Sequence, residues 1–147
     1  MELLVVFAIF AILSAIAIPS YDQMLNKAVI ASDEVVLLYK VVKSTAVSNT
    51  KAYRIEALDS DTVRVSSKNS CSSKDSWVED PRFTLDLPTG ASLQQDDFDG
   101  EKGVEWWNLC ISSRGFPDSN IEFDINDNDG QSRSIEIFLG GNIVVKS

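Results

Sequence analysis

The chain contains no histidine. The commonest general base and the commonest metal ligand are therefore missing. Neither a Ser-His-Asp nor a Cys-His catalytic arrangement can be built. Cysteine is scarce as well. Cys71 and Cys110 are the only two in 147 residues, too few for a structural zinc site without imidazole partners. Positive charge is in short supply, with 13 lysines and arginines against 22 acids. No basic run interrupts that balance, so nucleic acid phosphates are repelled rather than held. Of the net charge of −9, residues 1–50 carry only −1, leaving −8 on the remainder. The length suits one domain with an appendage.

What is present begins at the N-terminus. Leu3 to Ile18 contains a single polar residue, Ser14. As a helix, these residues span about 24 Å at about 1.5 Å per residue, slightly short of the roughly 20 residues that cross a bilayer core. Such a run is a buried core helix, a cleaved secretory signal or a retained membrane anchor. A core helix at the chain end, apolar on every face, fits poorly. Ala15-Ile16-Ala17 resembles a signal cleavage pattern, and cleavage there would release a secreted protein, but Glu2 stands where a basic n-region belongs. Past Pro19 the pattern becomes amphipathic. Leu25, Ala28, Val29, Ser32, Val35, Val36, Tyr39, Val42 and Ala46 recur at helical spacing, with Asp22, Lys27, Asp33, Glu34, Lys40 and Lys43 mostly off that stripe. A cleaved signal does not normally run on into a matched helix. The pattern predicts one helix from about residue 2 to 48, kinked or locally opened at Pro19. At about 70 Å, its first half must project beyond the head.

These residues carry a resemblance. "ELLVVFAIFAILSAIAIPSY" resembles the N-terminus of type IV pilins and type II secretion pseudopilins. In that family a peptidase cuts after a glycine, and an apolar helix with an early glutamate ends in Pro-x-Tyr. Glu2, Pro19 and Tyr21 match the glutamate, proline and tyrosine. The resemblance implies that a leader and three mature residues precede Met1. It also implies a subunit held in the inner membrane by its helix, which then polymerises with itself or with other pilins into a periplasmic or extracellular filament. Glu2 would pair with the N-terminal amine of a neighbour during assembly. "LPTGASL", "LCISSRGFPDSNIEFDI" and "SRSIEIFLGGNIVV" are similar to the GspH/FimT type of minor pilin head, favouring a minor subunit over a major pilin. A single-pass anchored binding domain that does not polymerise is the alternative class.

The rest reads as strands. "KAYRIEAL" and "TVRV" alternate around Asp59-Ser60-Asp61 as a hairpin. "RFTLDL" alternates up to Pro88, and "EWWNLCI" is β-prone. "NIEFDI", "SIEIFL" and "NIVV" complete the set, with Gly140-Gly141 as a turn. The expected fold class is α+β. A long helix, residues 1–48, packs its amphipathic half on an antiparallel sheet or sandwich head, residues 49–147. Ser66 to Ser76 is a polar loop. Cys71 and Cys110 are expected to bridge that loop to the "WWNLCI" strand, as an oxidising compartment allows, in preference to an exposed and a buried free thiol.

No cofactor is expected, with calcium as the one candidate. Asp127, Asp129, Gly130 and Glu136 sit at EF-hand offsets, but the first ligand position falls on Ile125, which has no side-chain oxygen. The simpler reading is a turn at Asp129-Gly130. A second acidic loop holds Asp96, Asp97, Asp99 and Glu101; some pseudopilin heads bind calcium. Trp77, Trp106 and Trp107 offer a stacking platform, although one of an adjacent pair on a strand faces the core. Some family members bind DNA through basic residues near the C-terminus, where this chain has Lys146 alone, so no nucleic acid partner is expected. Paired carboxylates could serve acid/base chemistry, but these lie in turns or on polar strand faces, where solvation explains them. No enzyme activity is expected.

Overall fold

A side-chain cap sets where the helix starts. In the computed structural model, which describes residues 26–94 and 107–146, helix α1 spans Lys27–Asn49. Asn26 is extended, with φ −69° and ψ 102°, and its Oδ1 accepts from the Val29 N–H at 3.0 Å. That bond satisfies an orphan donor of the first turn. The expected helix from about residue 2 to 48 therefore does not run through Asn26, because an asparagine side chain competes with helix continuation. The apolar run before it, and Leu25 of the stripe, lie outside the described residues. Thr50 ends the helix in the left-handed region, φ 54°. There the Lys51 N–H donates to the Ala46 carbonyl at 3.2 Å, closing the last turn.

Among the described residues nine strands follow: β1 (Ala52–Ala57), β2 (Thr62–Lys68), β3 (Val78–Glu79), β4 (Leu85–Asp86), β5 (Ala91–Gln94), β6 (Asn108–Ile111), β7 (Ile121–Asp127), β8 (Ser132–Ile137) and β9 (Ile143–Lys146). They form two antiparallel sheets. The first runs β3-β2-β1-β6, with β4 also on β2; the second runs β5-β7-β8-β9. The expected first hairpin is present, with Ile55 opposite Val65 and Ala57 opposite Val63. Strand β2 continues to Lys68, so Ser66–Lys68 belong to the sheet and not to the polar loop. They pair with Ala52–Arg54 on one side, and Ser66 and Ser67 pair with β3 on the other.

"RFTLDL" is not the strand its alternation suggested. Pro81–Phe83 form a 3-10 turn. Pro81 fixes φ at its start, and Asp80 accepts both from the Arg82 N–H and from the Arg82 guanidinium, at 2.6 Å for its closest oxygen. Only Leu85–Asp86 remain for pairing with β2. The β7–β8 and β8–β9 hairpins stand where expected. Gly130 (φ 79°) and Gly141 (φ 77°) take left-handed positions in their turns, which cost glycine little.

One core joins the layers. Helix α1 buries Ala28, Ala31, Ser32, Val35, Tyr39, Val42 and Ala46, close to the expected stripe, with Val29 and Val36 only half-buried. Against it lie Ile55, Val63, Val65, Leu109 and Ile111 from the first sheet and Phe123, Ile125, Ile135 and Ile137 from the second. Trp107, just before β6, stacks on Phe123 at 4.6 Å between ring centroids and 13° between planes. That contact links the two sheets directly.

The outer face of the first sheet has a cover of its own. Register places Ala52, Arg54, Ser66 and Cys110 on that face, opposite the helix side. Cys110 is bonded to Cys71, with Cα atoms 6.0 Å apart, so the loop after β2 folds back over the sheet. Trp77 holds the loop's far end, with the Arg54 guanidinium 4.6 Å and the Lys68 ammonium 4.3 Å from its ring. Ala52, Ser66 and Cys110 are consequently buried.

Replacing both cysteines by serine should cost about 4 kcal/mol in the chain-entropy model for a loop of about 40 residues. It should also shift Trp77 fluorescence as the cover loosens. Denaturant titration of both proteins measures the loss, and a loss below about 1 kcal/mol would overturn the stabilising role given to the bond. Tyr39 gives a second expectation. Its buried hydroxyl has no hydrogen-bond partner among the described residues, and burial raises its pKa. The unfolded phenol ionises first, near pH 10, so its contribution holds below that pH and is lost above it. Tyr39→Phe should leave neutral-pH stability equal or higher and flatten the alkaline decline in a pH series of melting curves.

Candidate assembly surface

The side of α1 turned away from the core is not simply polar. Asp33, Leu37, Lys40, Val41, Ser44, Val47 and Ser48 are exposed. Their steps of three and four residues keep them on one helix face. Three are large and apolar: Leu37 is 62% exposed, Val41 41% and Val47 52%. The sequence reading set only the charged residues off the core stripe and missed these three. Their signal is angular: they fall opposite Val35, Val42 and Ala46, so burial in the head cannot account for them.

Two loops meet the lower half of this helix. Lys43 donates from Nζ to the Gly141 carbonyl at 2.7 Å, tying the β8–β9 turn to α1. A Cβ at Gly141 would lie 2.6 Å from Lys43 Nζ, and one at Gly115 would lie 3.0 Å from Val47 Cγ2. Glycine is therefore what lets both turns approach the helix. These turns bring Phe116 and Leu139, each about half exposed, toward the same end of α1. A shallow recess lined by Lys40, Lys43, Ser44, Val47 and Ser48 runs beside them. The result is a mixed surface in which exposed apolar side chains stand among serines and lysines on an otherwise acidic protein.

The outer face of the second sheet differs sharply. Glu122 lies directly opposite Glu136 on neighbouring strands. Lys146 reaches between them, 2.7 Å from Glu136 and 3.3 Å from Glu122. Those carboxylates, Glu136 foremost, raise the lysine's pKa. The lone cation expected near the C-terminus is thus engaged within its own sheet. Asp127 serves its turn, where its Oδ1 accepts from the Asp129 and Gln131 N–H groups at 2.9 Å each. Among the described residues, no three His, Cys, Asp or Glu side chains gather in a metal-holding group. Asp97 and Asp99 lie outside the described residues, as does Trp106, while Trp107 is a core residue and Trp77 packs under two cations. Glu2, Pro19, Tyr21 and the Leu3–Ile18 run also lie outside them. Among the described residues, no helix is long and apolar enough to cross a membrane.

No protein-family model and no curated protein sequence matches the chain. Solved structures do, among them two crystal forms of the type IV minor pilin FimU of Pseudomonas aeruginosa. With one, the chain shares 20% identity over 83% of its own length and 90% of the other's, at a TM-score of 0.60. With the second, the figures are 19%, 80%, 90% and 0.53. A helix laid across antiparallel sheets in this order is a type IV pilin-like fold.

Lys146→Gln should leave Glu122 and Glu136 facing each other without a counter-charge, which is destabilising for directly opposed strand residues. A lower melting temperature is expected at low salt, with the difference shrinking as salt screens the repulsion. Equal melting temperatures at low salt would remove the clasp from the account.

Proposed function

We propose that the chain is a subunit of a type IV pilus-like filament, and a minor one. The observation that carries this reading is the pilin-like fold of the head, joined to the apolar run of Leu3–Ile18 with Glu2, Pro19 and Tyr21 in the family's places. A structural rather than a catalytic role follows. The outward apolar strip of α1 supports it, since exposed Leu37, Val41 and Val47 suit a helix with neighbours. A filament of the type II secretion kind would use the same physics.

In this reading the subunit waits in the inner membrane, held by the N-terminal run. It then transfers that run into a bundle at the filament centre, in the periplasm or outside the cell. Bundle packing covers the apolar surface that lipid had covered. Glu2 supplies register. A charge in an apolar bundle is tolerated when paired and costly when a misplaced neighbour leaves it alone. Its partner is the N-terminal amine of the next subunit, another copy or another pilin.

The test uses the full chain with its natural leader in a bacterium that makes it. Glu2→Ala should still fractionate with the inner membrane but contribute little to fibres sheared from the cell surface, scored by electron microscopy and immunoblot. Fibres of normal number and composition from that variant would refute the role of Glu2. A wild-type chain that never leaves the membrane fraction would favour the non-polymerising anchored domain. Fibres built chiefly of this chain would make it the major subunit.

A further inference from the structure

The loop that covers the first sheet is attached at few points. No residue from Asn69 to Trp77 is buried, and none belongs to the core. The loop bonds largely to itself: Asn69 and Ser73 both donate to Asp75, at 2.8 and 3.1 Å. Three contacts hold it to the sheet. They are the Cys71–Cys110 bond, the Trp77 ring beside Arg54 and Lys68, and the Lys68 ammonium donating to the Ser73 carbonyl at 3.0 Å. The contact beneath the loop is imperfect. Arg54 lies between Ser66 and Cys110 in register. Among the described residues, Arg54 Nε and Ser66 Oγ are buried without a hydrogen-bond partner. Such atoms gain water when a cover lifts, so they oppose its docking, and the disulfide works against them. The two sulfurs are not equally reachable. Cys110 is 4% exposed, whereas Cys71 is only half-buried.

We propose that this cover is a redox latch: reduction of Cys71–Cys110 by an external dithiol lifts Asn69–Trp77 off the first sheet and leaves the head folded. The chemistry is thiol–disulfide exchange. A thiolate of the dithiol attacks Cys71 Sγ, the reachable sulfur. A new S–S bond forms to Cys71, the Cys71–Cys110 bond breaks, and its electron pair leaves on Cys110 Sγ. The second thiolate of the dithiol then displaces Cys71. Both cysteines end reduced, each taking a proton from water or keeping its charge, and the dithiol ends as its own disulfide. With the bond gone, Ser66 Oγ and Arg54 Nε meet water, and the Trp77 ring leaves its two cations. Arg54 and Lys68 then face solvent on a protein that is otherwise acidic. The body of the head does not need the cover, because α1 and the inner faces of both sheets form the core without it. The latch is closed in an oxidising compartment and open in a reducing one.

The test uses the full-length chain in detergent micelles. Brief exposure to glutathione, followed by acid quenching and mass mapping, locates the first mixed disulfide. The adduct should sit on Cys71 in about tenfold excess over Cys110. Equal adducts, or an adduct chiefly on Cys110, overturn the assigned route. Excess dithiothreitol then opens the latch, and native trypsin digestion reads the opening. Cleavage after Lys68, whose ammonium is occupied in the closed cover, should speed up about tenfold, while Arg133 in β8 stays uncut. Three results overturn the latch: cleavage after Lys68 unchanged by reduction, cleavage after Lys68 and Arg133 rising together, or a bond that resists the dithiol until the head unfolds. Ser66→Ala deletes one orphaned oxygen. Once reduced, that variant should be cut after Lys68 about fivefold more slowly than the reduced wild type. Equal rates overturn the part given to rehydration.

Discussion

The head depends on one helix face lying across two sheets at once. Neither sheet is large. One reduces to a central hairpin with short additions, and an isolated hairpin is marginal in water. What makes them one body is the α1 stripe, with alanines at positions 28, 31 and 46 that let backbones approach and Tyr39 filling the space between. Each fully buried Ile, Phe or Val facing that stripe contributes about 1.5–3 kcal/mol relative to exposure, and they contribute together only while the helix is in place. The caps matter for the same reason. The Asn26 side chain and the left-handed turn at Thr50 fix which residues are helical, and so which side chains point at the sheets.

Much of this was legible in the sequence wherever two periodicities were strong. The 3.6-residue stripe named most of the buried helix face, and the alternation of "NIEFDI" and "SIEIFL" named the inner face of the second sheet, because the helix covers one side and water the other. Legibility failed where a local feature outweighed the pattern. "RFTLDL" alternates, yet Pro81 and the Asp80–Arg82 pair turn its first half into a 3-10 segment. Ser66 looks like loop, yet it is buried in a strand because the Cys71 loop covers it. The Cys71–Cys110 bridge itself was expected, but which strand residues its loop covers depends on a contact 39 residues distant in sequence.

The candidate surface was less legible than the fold, for a related reason. A core stripe is sought as the most apolar face, and residues off it are taken to be solvated. Helix α1 is apolar on two sides. Leu37, Val41 and Val47 lay in the same text as the core residues and were masked by them, whereas Asp33, Lys40 and Lys43 stood out and were read as a polar flank. Lys43 proved to be a structural tie to the β8–β9 turn. Lys146, read as a lone C-terminal cation, became the counter-charge of two glutamates. In each case the residue type was read correctly, but the partner lay on an element distant in sequence.

The distribution of charge then becomes an argument about where this molecule can associate. Most of the acid surplus sits on the head, beyond residue 50, and like-charged surfaces repel one another. Several head cations are already committed, Arg54 and Arg64 to Glu56, Arg82 to Asp80 and Lys146 to the second sheet. Head-on-head contacts are therefore disfavoured over much of the surface. The outward strip of α1 departs from that pattern, grouping exposed Leu37, Val41 and Val47 with one acid and one base on the same face. Burying that strip against a partner would remove apolar area from water, and such a partner must meet its acid and its base with opposite charge. An acidic head with exposed apolar side chains gathered on one helix strip favours association at that strip over association head on head.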